Sequence, residues 1–183
     1  MKAENTSSKT AMSCFLSLMF RPVTMTQTFC HAYTLCDWLP HKVFIAETNG
    51  AICRLAFGNV KLPENYNNKE TPLLKEAAGQ LAGYFRKKLK TFDLPLTLHG
   101  TDFQIKTWKA LQKIPYGETR TYGELAKMTG NAKASRAVGG ANNRNPIWII
   151  IPCHRVIGAD GSLTGYAGGL DVKQKLLELE RLE

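Results

Sequence analysis

Between Phe29 and Phe57 the apolar residues fall into short runs bounded by turn formers, a spacing that predicts strands rather than helices. The stretch "KVFIAETNGAICRLAF" is two such runs around Asn49-Gly50, a dipeptide that accepts positive φ at both positions and so predicts a tight hairpin. "FCHAYTLC", just before it, predicts a neighbouring third strand. After the polar loop "PENYNNKE" the period changes. Thr71-Pro72 offers an N-cap and a first-turn proline, predicting a helix to about Leu89, and "LPLTL" predicts a short returning strand.

The second half reads as helices. Thr101 and Gln104 have capping-box spacing and open "DFQIKTWKALQKI", where Phe103, Ile105, Trp108, Leu111 and Ile114 form an apolar stripe. "PYGET" ends it. Thr121 and Glu124 form a second capping box before "YGELAKMT", Gly130-Asn131 turns the chain, and "KASRAVGGANNRN" predicts another helix. Two short helices around a glycine-containing turn outline a helix-turn-helix. The second of them carries Ala137, Gly139 and Gly140 between Arg136 and Arg144. A helical glycine costs about 1 kcal/mol against alanine, so the pair needs a reason. Close packing on another helix and close approach of a nucleic-acid backbone both supply one. The pattern predicts an α/β protein: residues 28–98 a small α/β domain (antiparallel sheet plus helix), residues 99–183 a mainly helical domain, residues 1–27 a poorly ordered extension.

Charge sharpens this picture. The 183 residues carry 24 Lys+Arg against 15 Asp+Glu, a net charge of +9. Residues 105–155 hold nine basic and two acidic side chains, so 9 − 2 = +7 of that total sits in the helix-turn-helix region. A charge so concentrated points to an acidic partner, and nucleic acid fits best. Five cysteines without a CxxC pair suit neither a disulfide framework nor a zinc site, so no metal is expected and a reducing, intracellular setting is. "AMSCFLSLMF" is too short to span a membrane.

The chemistry concentrates in "IPCHRVIG", where Cys153 and His154 are adjacent. A buried thiol in an apolar strand is inert, whereas a thiol next to a base is a nucleophile. Adjacent side chains on a straight strand face opposite ways, so chemistry requires a turn, which Pro152 and Gly158 permit. An acid must also orient the histidine, and the last helix offers Glu178 and Glu180. Residue types alone leave both readings open.

The ordered series "YGETRTYGELA", "ASRAVGGANNRNPI", "PCHRV" and "GSLTGYAGGLDVKQKLLELE" resembles the O6-alkylguanine-DNA alkyltransferases, closely over Thr101 to Glu180 and more loosely over Phe29 to Leu98. The resemblance implies single-turnover direct-reversal repair: an alkyl group moves from guanine O6, less readily from thymine O4, to the protein's own cysteine. It implies Cys153 as acceptor, His154 as a base acting through water, Glu180 as its orienting carboxylate and Asn145 as the hinge after the recognition helix. Arg136 matches the residue that fills the stack when the nucleotide flips out. Tyr122 matches the tyrosine that rotates the phosphate and donates to the flipped base. Ala137, Gly139, Gly140 and Arg144 fall on the DNA-binding helix. Tyr166 resembles a pocket wall and Lys173 a lysine near the leaving oxygen. Two departures stand out. Ala167 replaces a serine of some members, and Trp148 is bulkier than usual and is expected to reshape the pocket. The resemblance further implies a monomer that needs no cofactor and binds double-stranded DNA from the minor groove, in the cytoplasm or a eukaryotic nucleus. The rival expectation is a protein that binds alkyl lesions and flags them without transfer.

Overall fold

The computed structural model describes residues 27–37, 42–58 and 65–181; the extension expected over residues 1–27 lies outside these save for Gln27. Four strands, β1 (Thr28–Tyr33), β2 (Val43–Thr48), β3 (Ala51–Phe57) and β4 (Tyr66–Asn68), form one sheet in the order β3-β2-β1-β4. The β2–β3 hairpin closes through Asn49 (φ 52°) and Gly50 (φ 72°), the two left-handed residues that a type I′ turn requires. The expected antiparallel sheet gains a short parallel edge, β4 against β1. Helix α1 (Pro72–Phe85) starts where Thr71 Oγ1 accepts from Leu74 N at 3.2 Å. It buries Leu74, Ala77, Leu81 and Tyr84 in the core shared with Val43, Ile45, Ile52 and Leu55 of the sheet.

Helices α2 (Asp102–Leu111), α3 (Tyr122–Met128) and α4 (Ser135–Asn143) follow, and both capping boxes form with reciprocal bonds. Gly130, at φ 83°, turns the chain between α3 and α4. Trp108 of α2, fully buried, donates its indole N–H to Ala141 O of α4 at 2.9 Å and so ties the helix-turn-helix to the core. Two-residue strands β5 (Arg120–Thr121) and β6 (Val156–Ile157) pair in parallel, and α5 (Leu170–Glu180) closes the fold.

The two halves share one core, in which Leu55 and Tyr84 meet Trp108, Leu125, Ile151 and Leu176. The outer edge of β3 is covered rather than open. Ile52 exchanges hydrogen bonds with Pro95 O and Thr97 N, and Leu55 with Pro146 O and Trp148 N. "LPLTL" is thus a single bridge rather than a strand. The apolar run before Pro152 does not form a straight strand. Ile150 N donates to Trp148 O at 2.8 Å across Ile149, whose φ of 68° is rare for a β-branched residue and marks local strain. A second tight turn follows, with Cys153 N donating to Ile151 O at 2.8 Å.

Candidate active site

Cys153 opens a single 3-10 turn, Cys153–Arg155, immediately after Pro152. The bend takes the cysteine and histidine off the opposed faces a strand would give them. Cys153 is 3% exposed and His154 is fully enclosed. Asn145, at the end of the segment leaving α4, donates from Nδ2 to Ile151 O (2.7 Å) and lies 3.0 Å from Cys153 Sγ, while its Oδ1 accepts from Ile147 N (3.0 Å). One buried amide therefore holds both the turn and the sulfur. Asn142 adds a bond to Cys153 O at 3.4 Å.

Behind the histidine stands Glu180. Its carboxylate accepts from His154 Nε2 (2.8 Å), from Arg155 Nε and Nη2 (2.8 and 2.9 Å), from the Tyr84 hydroxyl (2.7 Å) and from Gly117 N (3.3 Å). Burial alone would raise this carboxyl. The hydrogen bonds from His154 and Arg155, with the charge of Arg155, outweigh burial and hold it well below the usual range. An ionised Glu180 fixes the tautomer: Nε2 carries the proton and Nδ1 keeps its lone pair. Nδ1 is buried without a partner among protein atoms and makes no direct bond to the sulfur. Burial also lowers His154 below its ordinary 6.5 against the pull of Glu180, so the ring is neutral at neutral pH. The thiol is pushed up to about 11 by burial, opposed by the Asn145 bond and the Lys173 charge. At rest it is therefore protonated, next to a neutral base.

Of the remaining predicted residues, Lys173 and Tyr166 lie within electrostatic reach of Cys153. Lys173 is fully buried, donates to Val156 O (2.6 Å) and Thr164 O (2.7 Å), and is pushed down to about 8 by burial. The Tyr122 hydroxyl donates to the same Thr164 carbonyl at 3.3 Å. Tyr166 presents a buried hydroxyl with no partner, and Ala167 is exposed beside it. Trp148 wedges between Phe57 and Tyr166, with ring centroids 5.3 and 5.8 Å away, and its N–H donates to Asn145 O at 3.0 Å. Its bulk thus links Phe57 of the first half of the chain to Tyr166. Arg136, Ala137 and Arg144 are exposed on α4. A Cβ on Gly139 would sit 3.6 Å from the Tyr122 ring, and one on Gly140 3.4 Å from the flexible tip of Arg144. Packing inside the protein therefore does not demand either glycine, which removes the tight-packing explanation and leaves close approach from outside.

Three site residues have no counterpart among the expectations. Tyr84 comes from α1, in a half expected to carry no chemistry. Arg155 is one of the nine basic residues of 105–155, yet it is buried on Glu180 and on Ile114 O (2.6 Å). Gly168 leaves room where a Cβ would fall 2.9 and 3.0 Å from the rings of Tyr166 and Trp148.

Fold and site together define a protein with a buried cysteine, next to a histidine–carboxylate pair, set beside a helix-turn-helix. Residues 102–182 match the family model of the 6-O-methylguanine DNA methyltransferase DNA-binding domain, and residues 32–98 that of its ribonuclease-like domain. The chain is 60% identical over 121 residues to a methylated-DNA–protein-cysteine methyltransferase of Methanosarcina acetivorans, covering 66% of this chain and 77% of that one. It is 46% identical over 157 residues to the constitutive enzyme of that name from Bacillus subtilis, covering 82% and 95%. The crystal structure of Mycobacterium tuberculosis OGT in complex with DNA superimposes with a TM-score of 0.76 at 44% identity, covering 84% and 92% of the two chains. The chain belongs to the 6-O-methylguanine DNA methyltransferase family.

Proposed function

We propose that the protein repairs alkylated DNA by direct reversal, moving a methyl or other alkyl group from guanine O6, less readily from thymine O4, to Sγ of Cys153. The observation that carries this reading is a buried sulfur held 3.0 Å from Asn145, next to a histidine whose far nitrogen is pinned 2.8 Å from Glu180. His154 Nδ1 takes the thiol proton through an intervening water, and the ionised Glu180 stabilises the imidazolium. The sulfur attacks the alkyl carbon in line, an S–C bond forms, and the C–O bond breaks with its electron pair left on O6. The purine anion is stabilised by hydrogen bonds from Tyr122 and the Lys173 ammonium and regains a proton from the imidazolium. The thioether has no hydrolysable bond, so each molecule acts once. The alkyl donor is the DNA itself, and no cofactor enters the balance.

A base inside the duplex cannot meet a buried sulfur, so the nucleotide must flip out. Helix α4 supports this from the minor groove of double-stranded DNA, with Gly139 and Gly140 admitting the backbone and Arg144 contacting phosphate. Arg136 fills the vacated stack and Tyr122 steers the turning phosphate. A monomer suffices, because every group in the sequence of steps comes from one chain. The need for a reduced thiol supports the cytoplasm, or the nucleus of a eukaryote. A protein that only flagged lesions would not need a thiol set beside a histidine–carboxylate pair.

Incubation with a duplex containing O6-methylguanine is expected to demethylate it in an amount equal to the protein and then stop. Continued turnover would instead indicate a cysteine hydrolase. Arg136→Ala is expected to slow duplex repair by about tenfold or more, since about 1.4 kcal/mol of the few that flipping requires is already tenfold. Reaction with free O6-benzylguanine, which needs no flipping, should keep its rate. Equal losses on both would remove the stack-filling role. The pH dependence has a definite sign: the base must be neutral, and His154 lies below its ordinary 6.5, so the acid limb of the benzylguanine rate falls below that value. A limb above 6.5 would contradict the assignment.

A further inference from the structure

A cleft of about 850 Å³ opens between the sheet of the first half and the C-terminal end of α4. Its basic side chains come from three separate segments: Arg54 on β3, His99 in the connection to α2, and Arg144 at the C-cap of α4. Asn49, Thr97 and Tyr66 add hydroxyl and amide groups, and among the described residues no aspartate or glutamate lines it. A β-bulge makes this possible. The register of β3 shifts opposite Ala46/Glu47, and the adjacent residues Cys53 and Arg54, which regular pleating would send to opposite faces, both line the cleft. Arg54 lies close enough to the Tyr66 hydroxyl to pull its pKa down against burial, and Arg144 spends one N–H on Gly140 O at 3.3 Å. Donors remain on both guanidinium groups. Because Arg144 stands at the end of α4, the cleft is continuous with the surface on which the nucleic acid was placed above.

We propose that this cleft is a second DNA-backbone site, which takes phosphodiester groups of the strand as it runs past the end of α4. The inference rests on the DNA-repair reading and deepens it by giving the first half of the chain a share in binding. Guanidinium groups on two walls suit phosphate by charge and by paired N–H geometry. Contacts of this kind read no sequence. They add affinity and salt dependence equally for damaged and intact duplex.

The test is the salt dependence of binding of an unmodified duplex to the full chain, with the free O6-benzylguanine rate measured in parallel. Arg54→Gln is expected to weaken duplex binding several-fold at low salt and to flatten the log–log salt slope by about 0.9, one phosphate contact. Arg54→Lys should keep the slope, and both variants should keep the benzylguanine rate. A wild-type slope and affinity in Arg54→Gln would overturn the proposal. If Arg54→Gln also loses the benzylguanine reaction, Asn49→Asp decides. It sets a carboxylate at the cleft rim on an exposed turn and is expected to weaken duplex binding alone; unchanged binding would overturn the site. Titration with inorganic phosphate and with dAMP separates the sources of phosphate. Saturable binding that Arg54→Gln abolishes, with an unaltered duplex slope, would assign the cleft to a small ligand and overturn the backbone site. Failure of the wild type to react with benzylguanine or methylated duplex would sink the repair reading itself, and the slope comparison would still report on the cleft.

Discussion

Cys153→Ala abolishes alkyl transfer to the protein while duplex binding stays at the wild-type level. The sulfur is the acceptor and, among the described residues, no second thiol bonds to the His154–Glu180 pair, so no other group replaces it. The variant should still fold. Alanine differs from cysteine by one atom in a site already enclosed by Asn145 and the tight turn, and a void of that size costs about 1 kcal/mol. The DNA-contacting residues proposed on α4 do not touch the sulfur. Gel shift and transfer assays on the same preparation check both halves of the expectation. Loss of binding together with transfer would mean that the variant unfolds or that Cys153 is wrongly assigned.

Glu180→Ala has the second large effect, because it removes both orientation and structure. It would strand a buried guanidinium and leave His154 Nε2 and the Tyr84 hydroxyl without their acceptor. Removing one partner of a buried ion pair costs about 3–5 kcal/mol. For a chain of this size that lowers Tm by on the order of 10 °C or more. Glu180→Gln keeps the volume and one acceptor oxygen, so it should lose less stability but still lose most of the transfer rate. The pH dependence separates charge from packing. A carboxyl whose folded pKa is depressed contributes stability above its unfolded value of 4.5, and that contribution disappears as pH falls toward the folded value. Wild-type Tm should therefore drop more steeply on acidification than that of Glu180→Gln. Parallel curves would mean that Glu180 carries no depressed titration.

Local rules made much of this fold readable. Asn49-Gly50, the two capping boxes and Thr71-Pro72 each act within four residues, and each formed the element it predicts. What stayed hidden depends on distant partners. The Tyr84–Glu180 hydrogen bond spans 96 residues and links a helix read as scaffold to the carboxylate behind His154. Burial of Arg155 could not be read from a basic count, because only the folded chain brings Glu180 and the Ile114 carbonyl to it. The apolar run ending at Ile151 has strand composition, yet the bonds of Trp148 and Pro146 to Leu55 and the strained Ile149 fold it into turns. That turn sets Cys153 where Asn145 can reach it.

The most direct test of the central claim is peptide-resolved mass spectrometry after reaction with a duplex carrying a single O6-methylguanine. The account predicts one methyl group per protein molecule, located on Cys153 and absent from the other four cysteines. An unmodified protein beside demethylated DNA, or a methyl group on any other residue, would contradict it.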